Sequence, residues 1–455
     1  MGENPTREIA EWVAALELDD IPQAAIDNAK VAILDTIGVT LAGSMLEPAK
    51  MILRYVERVA AAPVATVCAS SLKTSPELAA LANGVLAHVQ DYDDRWHTST
   101  HTLPAVLAMG EPSGVDGRRL LVSYIAGREV RLHLDEEFRP GRDGKGDGIA
   151  GKGPGWRGWH ETGVLGSLGA AAAAAKTIGL SADDVQMALG IGASTAGGLM
   201  ANFGTSTKSL HAGNAARNGV LAATLASMGF SADPEILMAR RGFVEAICYP
   251  DKRDASRVAR SLRSYFHTAK HGVRIKPLPV CTGTQQFVTM MQAIVAHHGL
   301  VPDEVATMTV SRIAGSGPRR DFPSTSVECK FSPAFLAATT LIDGEVNLDN
   351  CTIEFARRDD VQSLMSRTRY EASDGGFIRI ETTTGATIQQ DALAGTVSRG
   401  SPARDLEGLD NIEKKFHTCA DRIIGRARAD KVRSIVMELE QLDSVLHLTE
   451  LLAVD

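Results

Sequence analysis

Paired cysteines, a basic charge balance, long apolar runs and cofactor fingerprints are all missing from this chain, and each absence removes a class of protein. The six cysteines (Cys68, Cys248, Cys281, Cys329, Cys351, Cys419) stand singly, with no CxxC. That argues against a disulfide framework, a structural zinc site or a common iron–sulfur cluster, and for a reducing, cytoplasmic setting. A net charge of -8 without any basic block excludes nucleic acid as a natural partner. No uninterrupted apolar run reaches membrane-spanning length, and the opening MGENPTREIAEW is too polar for a signal peptide, so no membrane partner is expected. Neither a GxSxG elbow nor a P-loop occurs. A formal GxGxxG at Gly146, Gly148 and Gly151 lies in a stretch rich in glycine and charge that reads as a mobile loop. Without a preceding strand or a following helix, it does not make a dinucleotide site.

What is present is aliphatic and small. Aromatics are 5% of the chain and glycine alone supplies 42 residues, a composition that favours closely packed helices over a β-sandwich. At 455 residues the chain exceeds the size of an ordinary single core, so two domains are expected. Apolar residues recur at helical spacing from Thr6 to about Phe266, with Pro76 opening a helix that ends near His88 and Ser181 followed by Asp184 marking a helix start. Near Val273 the texture changes. ValAlaThrMetThrValSerArgIle, CysThrIleGluPhe and the run from Gly376 to Gln389 are β-branched and partly alternating, hence strands, with helices at Ser332–Leu341 and Val361–Arg369 between them. Beyond Ser401 the pattern is helical again. The reading is mainly α: a large all-helical domain from residues 1–269 and 401–455, and a smaller α+β lid domain from residues 270–400.

Four stretches carry candidate chemistry. Asp91–His101 holds three aspartates (Asp91, Asp93, Asp94) and two histidines (His97, His101). His97 and His101 sit four apart, but no HExxH exists and Pro104 argues against one continuous helix, so an acid/base pair in which Asp91 orients His101 is preferred to a metal site. The bland alternative is a polar loop capping helix ends. GlyTrpArgGlyTrpHis puts His160 just before a helix, either as a pocket wall or as a cap. Ala201–Gly219 sets Lys208 and His211 at a helix entrance among small residues, where an anion is well served; helix capping accounts for His211. Lys276, before Pro277, is extended backbone at the domain junction, a favoured place for a cleft. Imidazoles, lysines and a carboxylate cluster without a cofactor motif fit proton transfer on a carboxylate-bearing substrate.

The segments NGVLAHVQDYDD, HTSTH, GWHETGVLGSLGAAAAAAKTIGL, GLMANFGTSTKSLHAGNAARNGVLAATLASMGF, IKPLPVC and PSTSVECKFSPAFLAATTLIDG follow in this order and resemble the MmgE/PrpD family over nearly the whole chain. That family includes 2-methylcitrate dehydratase, cis-aconitate decarboxylase and iminodisuccinate epimerase. The resemblance implies a helical domain plus lid, an active site between them, a homodimer, and no metal or organic cofactor. It implies catalytic roles for Asp91, His101, His160, Lys208 and Lys276. Three further positions depart from the decarboxylase-like pattern and are expected to contact substrate: Arg95 in place of Thr, Phe335 in place of Tyr, and Gln285 or a neighbour in place of His. A lost phenol and a gained guanidinium alter the pocket. Dehydration of a 2-methylcitrate-like hydroxy acid is therefore ranked first, then epimerisation, then decarboxylation. A carboxylate-binding protein without catalysis is the alternative from another class.

Overall fold

The computed structural model describes residues 4–138, 158–248, 254–313, 321–373, 375–392 and 406–454. Twelve helices among the described residues build the first part of the chain. They are α1 (Pro5–Ala15), α2 (Gln23–Gly43), α3 (Glu47–Val59), α4 (Pro76–Val89), α5 (Ser99–Ser113), α6 (Gly117–Phe138), α7 (Glu161–Thr177), α8 (Ala182–Thr195), α9 (Ser206–Ser227), α10 (Phe243–Cys248), α11 (Ser256–Leu262) and α12 (His267–His271). A short pair of strands, β1 (Ala65–Thr66) and β2 (Lys73–Thr74), sits between α3 and α4. Helix α8 starts as expected, with Ser181 accepting the Asp184 N–H.

The abundance of Ala and Gly is explained by how closely the central helices cross. A Cβ at Gly219 of α9 would lie 2.3 Å from the Ala170 carbonyl carbon of α7, and one at Gly213 would lie 2.4 Å from the Leu81 carbonyl oxygen of α4. Backbones this near leave no room for a side chain, so α9 lies flush between α4 and α7. The consequence is positional: the first turn of α9, the last turn of α4 and the start of α7 meet at one end of the bundle.

The lid is a four-stranded sheet in the order β4-β3-β5-β6, formed by β3 (Val305–Ile313), β4 (Thr368–Ser373), β5 (Phe377–Thr382) and β6 (Thr387–Asp391). Strand β3 runs parallel to β4 (Met308 opposite Thr368) and antiparallel to β5 (Met308 opposite Ile380). Helices α13 (Gln285–His298), α14 (Ser326–Cys329), α15 (Pro333–Asp343), α16 (Ile353–Ala356) and α17 (Asp359–Ser366) complete the lid, and its apolar core joins Phe287, Met291, Phe335 and Leu364 to Met308 and Ile380. Two expectations change. CysThrIleGluPhe is not a strand, because Thr352 caps a helical turn by accepting the Phe355 N–H. Strand β4 occupies residues that carry on from α17, where a longer helix was expected; its alternating burial gives only a weak period-2 signal.

The chain then returns as α18 (Leu409–Ile424), α19 (Arg426–Met437) and α20 (Leu446–Leu452), whose Phe416, Ala420, Val432 and Leu448 join the first, helical core. Helix α18 lies along α2, with Lys415 ion-paired to buried Asp35 at 2.6 Å while its Nζ also donates to the Tyr92 carbonyl at 2.5 Å. The last helices thus hold the residue next to Asp91.

Candidate functional site

The loop between α4 and α5 is built by its three aspartates, each with a different task. Asp94 starts α5: it accepts the N–H groups of Trp96, Thr98 and Ser99 at 3.0–3.2 Å, the Ser99 hydroxyl at 2.6 Å and the Arg128 guanidinium at 3.1 Å. Asp93 bridges two imidazoles, lying 2.7 Å from His97 Nδ1 and 3.4 Å from His88 Nδ1. Asp91 gives both its oxygens to two lysines, with His97 Nε2 3.9 Å from Oδ1. The backbone turns sharply enough that Asp91 (φ 51) and His97 (φ 54) both occupy the left-handed region. Such residues cost energy unless their surroundings hold them, and they concentrate at functional sites.

Lys208 lies in the first turn of α9, which Thr205 caps by accepting the Thr207 N–H. Its Nζ is 2.5 Å from Asp91 Oδ2 and sits over the rings of Phe203 (5.3 Å) and Phe331 (5.4 Å). Lys276 arrives on extended backbone because its neighbour Ile275 bridges both Asp94 and Leu406. It ion-pairs with Asp91 Oδ1 and donates to the Asp91 carbonyl at 2.7 Å. All three side chains are buried. Burial works against the charges, but the two ammoniums, Lys208 first and Lys276 second, hold the Asp91 carboxyl well below the usual carboxylate range. Asp91 in turn keeps Lys208 above the ordinary lysine value despite its burial. The result is an ionised centre with two cations and one anion, at the seam between helical core and lid.

Imidazoles surround this centre. His160 occupies the N-cap position of α7 but its side chain does not cap; instead Trp159 pairs with Leu199, and the His160 N–H donates to Gly198 O at 2.9 Å. Its Nδ1 lies 2.9 Å from His211 Nδ1, and Phe203 packs edge-on against it. His211 therefore belongs to the site, contrary to the expectation that helix capping accounts for it. The cause is Gly198, where a Cβ would come within 2.9 Å of the His211 ring. Burial, and then Lys208, hold His160 well below the ordinary imidazole range; burial, with His88 and Lys208 next, brings His211 to about 4. His88 is likewise lowered to about 4, by burial and then Lys208. All are neutral at neutral pH.

Asp91, Lys208, Lys276 and His160 converge as the sequence suggested. The pairing of Asp91 with His101 does not form. Residue 101 is one turn into α5 and points into the bundle, against Gly166 of α7, where a Cβ would be 2.7 Å from its ring; its Nδ1 contacts the Thr102 hydroxyl at 3.2 Å and its Nε2 has no hydrogen-bond partner. Both Asp91 oxygens are taken by lysines. Nor does Phe335 reach the centre: it is part of the lid's apolar core, fully buried on α15. Gln285 is also fully buried at the start of α13, and its carboxamide has no hydrogen-bond partner, Asp91 included. Arg95 is buried beside the site, with its N–H donating to Arg274 O at 2.9 Å. His88 and His97, which sequence reasoning left without a role or weighed only as a metal ligand, are the histidines that line the loop. Their signal is the Asp93 between them, spaced five and four residues away.

His88, Asp93 and His97 also bring three ligand atoms within 4.8 Å of one another. The set fits a metal poorly. Asp93 already bridges both imidazoles, and the adjacent ammoniums, with Lys208 lowering both His88 and His97, oppose another cation.

Fold and site together define a two-part protein, a helical domain and an α+β lid with an ionised centre between them. The chain belongs to the MmgE/PrpD family: residues 7–255 match the MmgE/PrpD N-terminal domain and residues 278–441 the MmgE/PrpD C-terminal domain. It is similar to cis-aconitate decarboxylase of Homo sapiens (29% identical, covering 98% of this chain and 94% of that protein). It is similar also to cis-aconitate decarboxylase of Aspergillus terreus (27%, 98% and 95%) and to the cis-aconitate decarboxylase-like protein oryM of Aspergillus oryzae (27%, 99% and 97%).

Proposed function

We propose that this protein is a decarboxylase of a small unsaturated tricarboxylate of the cis-aconitate kind. The observation that carries this reading is the buried Asp91–Lys208–Lys276 centre at the lid seam, ringed by neutral imidazoles. Relatives bearing the decarboxylase name over their whole length move decarboxylation ahead of the dehydration ranked first from sequence. Lys208 and Lys276 would receive substrate carboxylates in exchange for part of their hold on Asp91 and stabilise the charge that develops. Loss of carbon dioxide from a carboxylate allylic to a C=C bond leaves an electron pair, which moves through the alkene to the carbon beside a second carboxylate. A proton from an imidazolium then forms the C–H bond there, and solvent returns a proton to the ring. His160, neutral and with His211 behind it, would instead offer a substrate carboxylate a hydrogen bond.

Dehydration of a hydroxy tricarboxylate is the second reading, favoured by Arg95, a buried arginine in the same loop as Asp91. Incubation with cis-aconitate and with 2-methylcitrate separates the readings: carbon dioxide with deuterium incorporated from heavy water marks decarboxylation, and a rise in ultraviolet absorbance without gas marks dehydration. Binding of both acids with neither product points to a carboxylate-binding protein and rejects the enzyme reading.

A further inference from the structure

We propose that His97, oriented by Asp93, is the proton carrier of this site, the role that family resemblance gives to His101. The inference rests on the enzymatic reading above and names the group that serves it.

Three observations converge. First, His97 brings a ring nitrogen close to the ionised centre: its Nε2 is 3.9 Å from Asp91 Oδ1. Second, its other nitrogen is fixed, with Nδ1 2.7 Å from Asp93 Oδ2. Asp93 is an ionised carboxylate, held far below the usual range by His97 and His88 against the effect of burial, so it only accepts. The hydrogen on the neutral ring therefore sits on Nδ1, leaving the Nε2 lone pair facing the cations. Third, the ring is locked and yet not sealed. Its backbone is left-handed with the N–H donating to Asp94 O at 2.9 Å, Thr100 donates to its carbonyl at 2.8 Å, and His88 packs edge-on at 4.3 Å. The residue nevertheless keeps 8% exposure, whereas His101 has 0% and His160 1%.

The groups facing His97 are Asp93, Asp91, Asp94, Lys208, Lys276, His88 and His160. Burial and then the lysines disfavour its charged form; Asp93 stabilises the imidazolium once a proton arrives. That is the balance a group needs if it is to take a proton and give it back in one turnover. Asp93 is a positioning residue in this scheme, and His88 supports its second oxygen.

The test has two arms, one independent of turnover. In protein labelled with ¹⁵N-histidine, His97 is expected as the Nδ1–H tautomer, and titration with the unreactive propane-1,2,3-tricarboxylate is expected to move its Nε2 resonance. An Nε2–H tautomer, or a resonance indifferent to the acid, overturns the proposal whether or not a substrate has been found. In the turnover arm, His97→Asn should lose about 10²–10⁴-fold in kcat with little change in affinity for the inert acid. His97→Gly suits the left-handed backbone, and free imidazole should restore part of its activity. Asp93→Asn should lose less and shift the pH dependence of kcat. Rescue by imidazole of His101→Ala but not of His97→Gly returns the role to His101. Absence of turnover in the wild type refutes the decarboxylase reading while leaving the tautomer and titration results to decide on His97.

Discussion

Asp91→Asn is the most informative single change. Asparagine keeps the shape and tolerates the left-handed backbone (φ 51) at this position. What it removes is the one anion between two buried ammoniums, Lys208 at 2.5 Å and Lys276 on the other oxygen. It also turns an amide donor toward one of them. Breaking a buried ion pair by removing one partner costs about 3–5 kcal/mol, because the remaining charge is uncompensated. At roughly 2–4 °C per kcal/mol for a sizeable domain, the melting temperature should fall by about 6–20 °C. The double change Asp91→Asn/Lys276→Met leaves a single cation and should recover part of the loss. Propane-1,2,3-tricarboxylate should stabilise Asp91→Asn more than the wild type, since its carboxylate no longer competes with Asp91. Differential scanning calorimetry with and without the acid measures all three. A variant that melts within about 2 °C of the wild type and gains nothing from the acid would refute the idea that the lysines depend on Asp91, because an uncompensated buried charge cannot cost so little.

Other outcomes follow from the same geometry. Lys208→Met should lower kcat by roughly a hundredfold or more, as removal of a preorganised charge does elsewhere; unchanged steady-state kinetics would remove Lys208 from the site. His88 and His211, both lowered to about 4, stay neutral in the folded protein as the pH drops below about 6.5, where unfolded imidazoles take up protons. The unfolded state then binds more protons, so stability should fall from pH 6.5 toward 4 by up to about 2.7 kcal/mol per unit from this pair, and urea titrations across that range should show the slope steepening. Gly219→Ala gains about 1 kcal/mol of helix propensity but places a methyl group 2.3 Å from the Ala170 backbone. Net destabilisation of about 1–3 kcal/mol is expected by chemical denaturation, and a more stable variant would mean that α7 and α9 are free to part.

Much of the fold is legible in local pattern. The helices of the first core announce themselves by apolar spacing and caps such as Ser181, and β3, with the β5–β6 hairpin, by β-branched alternation. Elements that depend on a neighbour are harder to see: β4 exists because β3 offers it a parallel edge, and residues 351–355 turn helical through the Thr352 cap. Of the stretch from Glu136 to Gly158, expected as a mobile loop, residues 136–138 instead close α6, and residues 139–157 lie outside the described residues. In the site, Asp91, Lys208, Lys276 and His160 were identifiable because each sits in a segment whose residue types do not suit ordinary packing. His97 and His101 were indistinguishable on those grounds.

Composition and spacing by themselves determine that the chain is mainly helical and closely packed, and which polar segments interrupt its helices; helix propensity, caps and β-branching act over a few residues. Only the tertiary structure decides which of those polar groups meet. Asp91 lies 117 residues from Lys208 and 185 from Lys276, and nothing local relates them. The glycine-lined crossing of α4 with α9 and the bridge of Ile275 to Asp94 bring them together. The start of α5 at Ser99, set by the Asp94 cap, then leaves His97 facing Asp91 and turns His101 into the bundle.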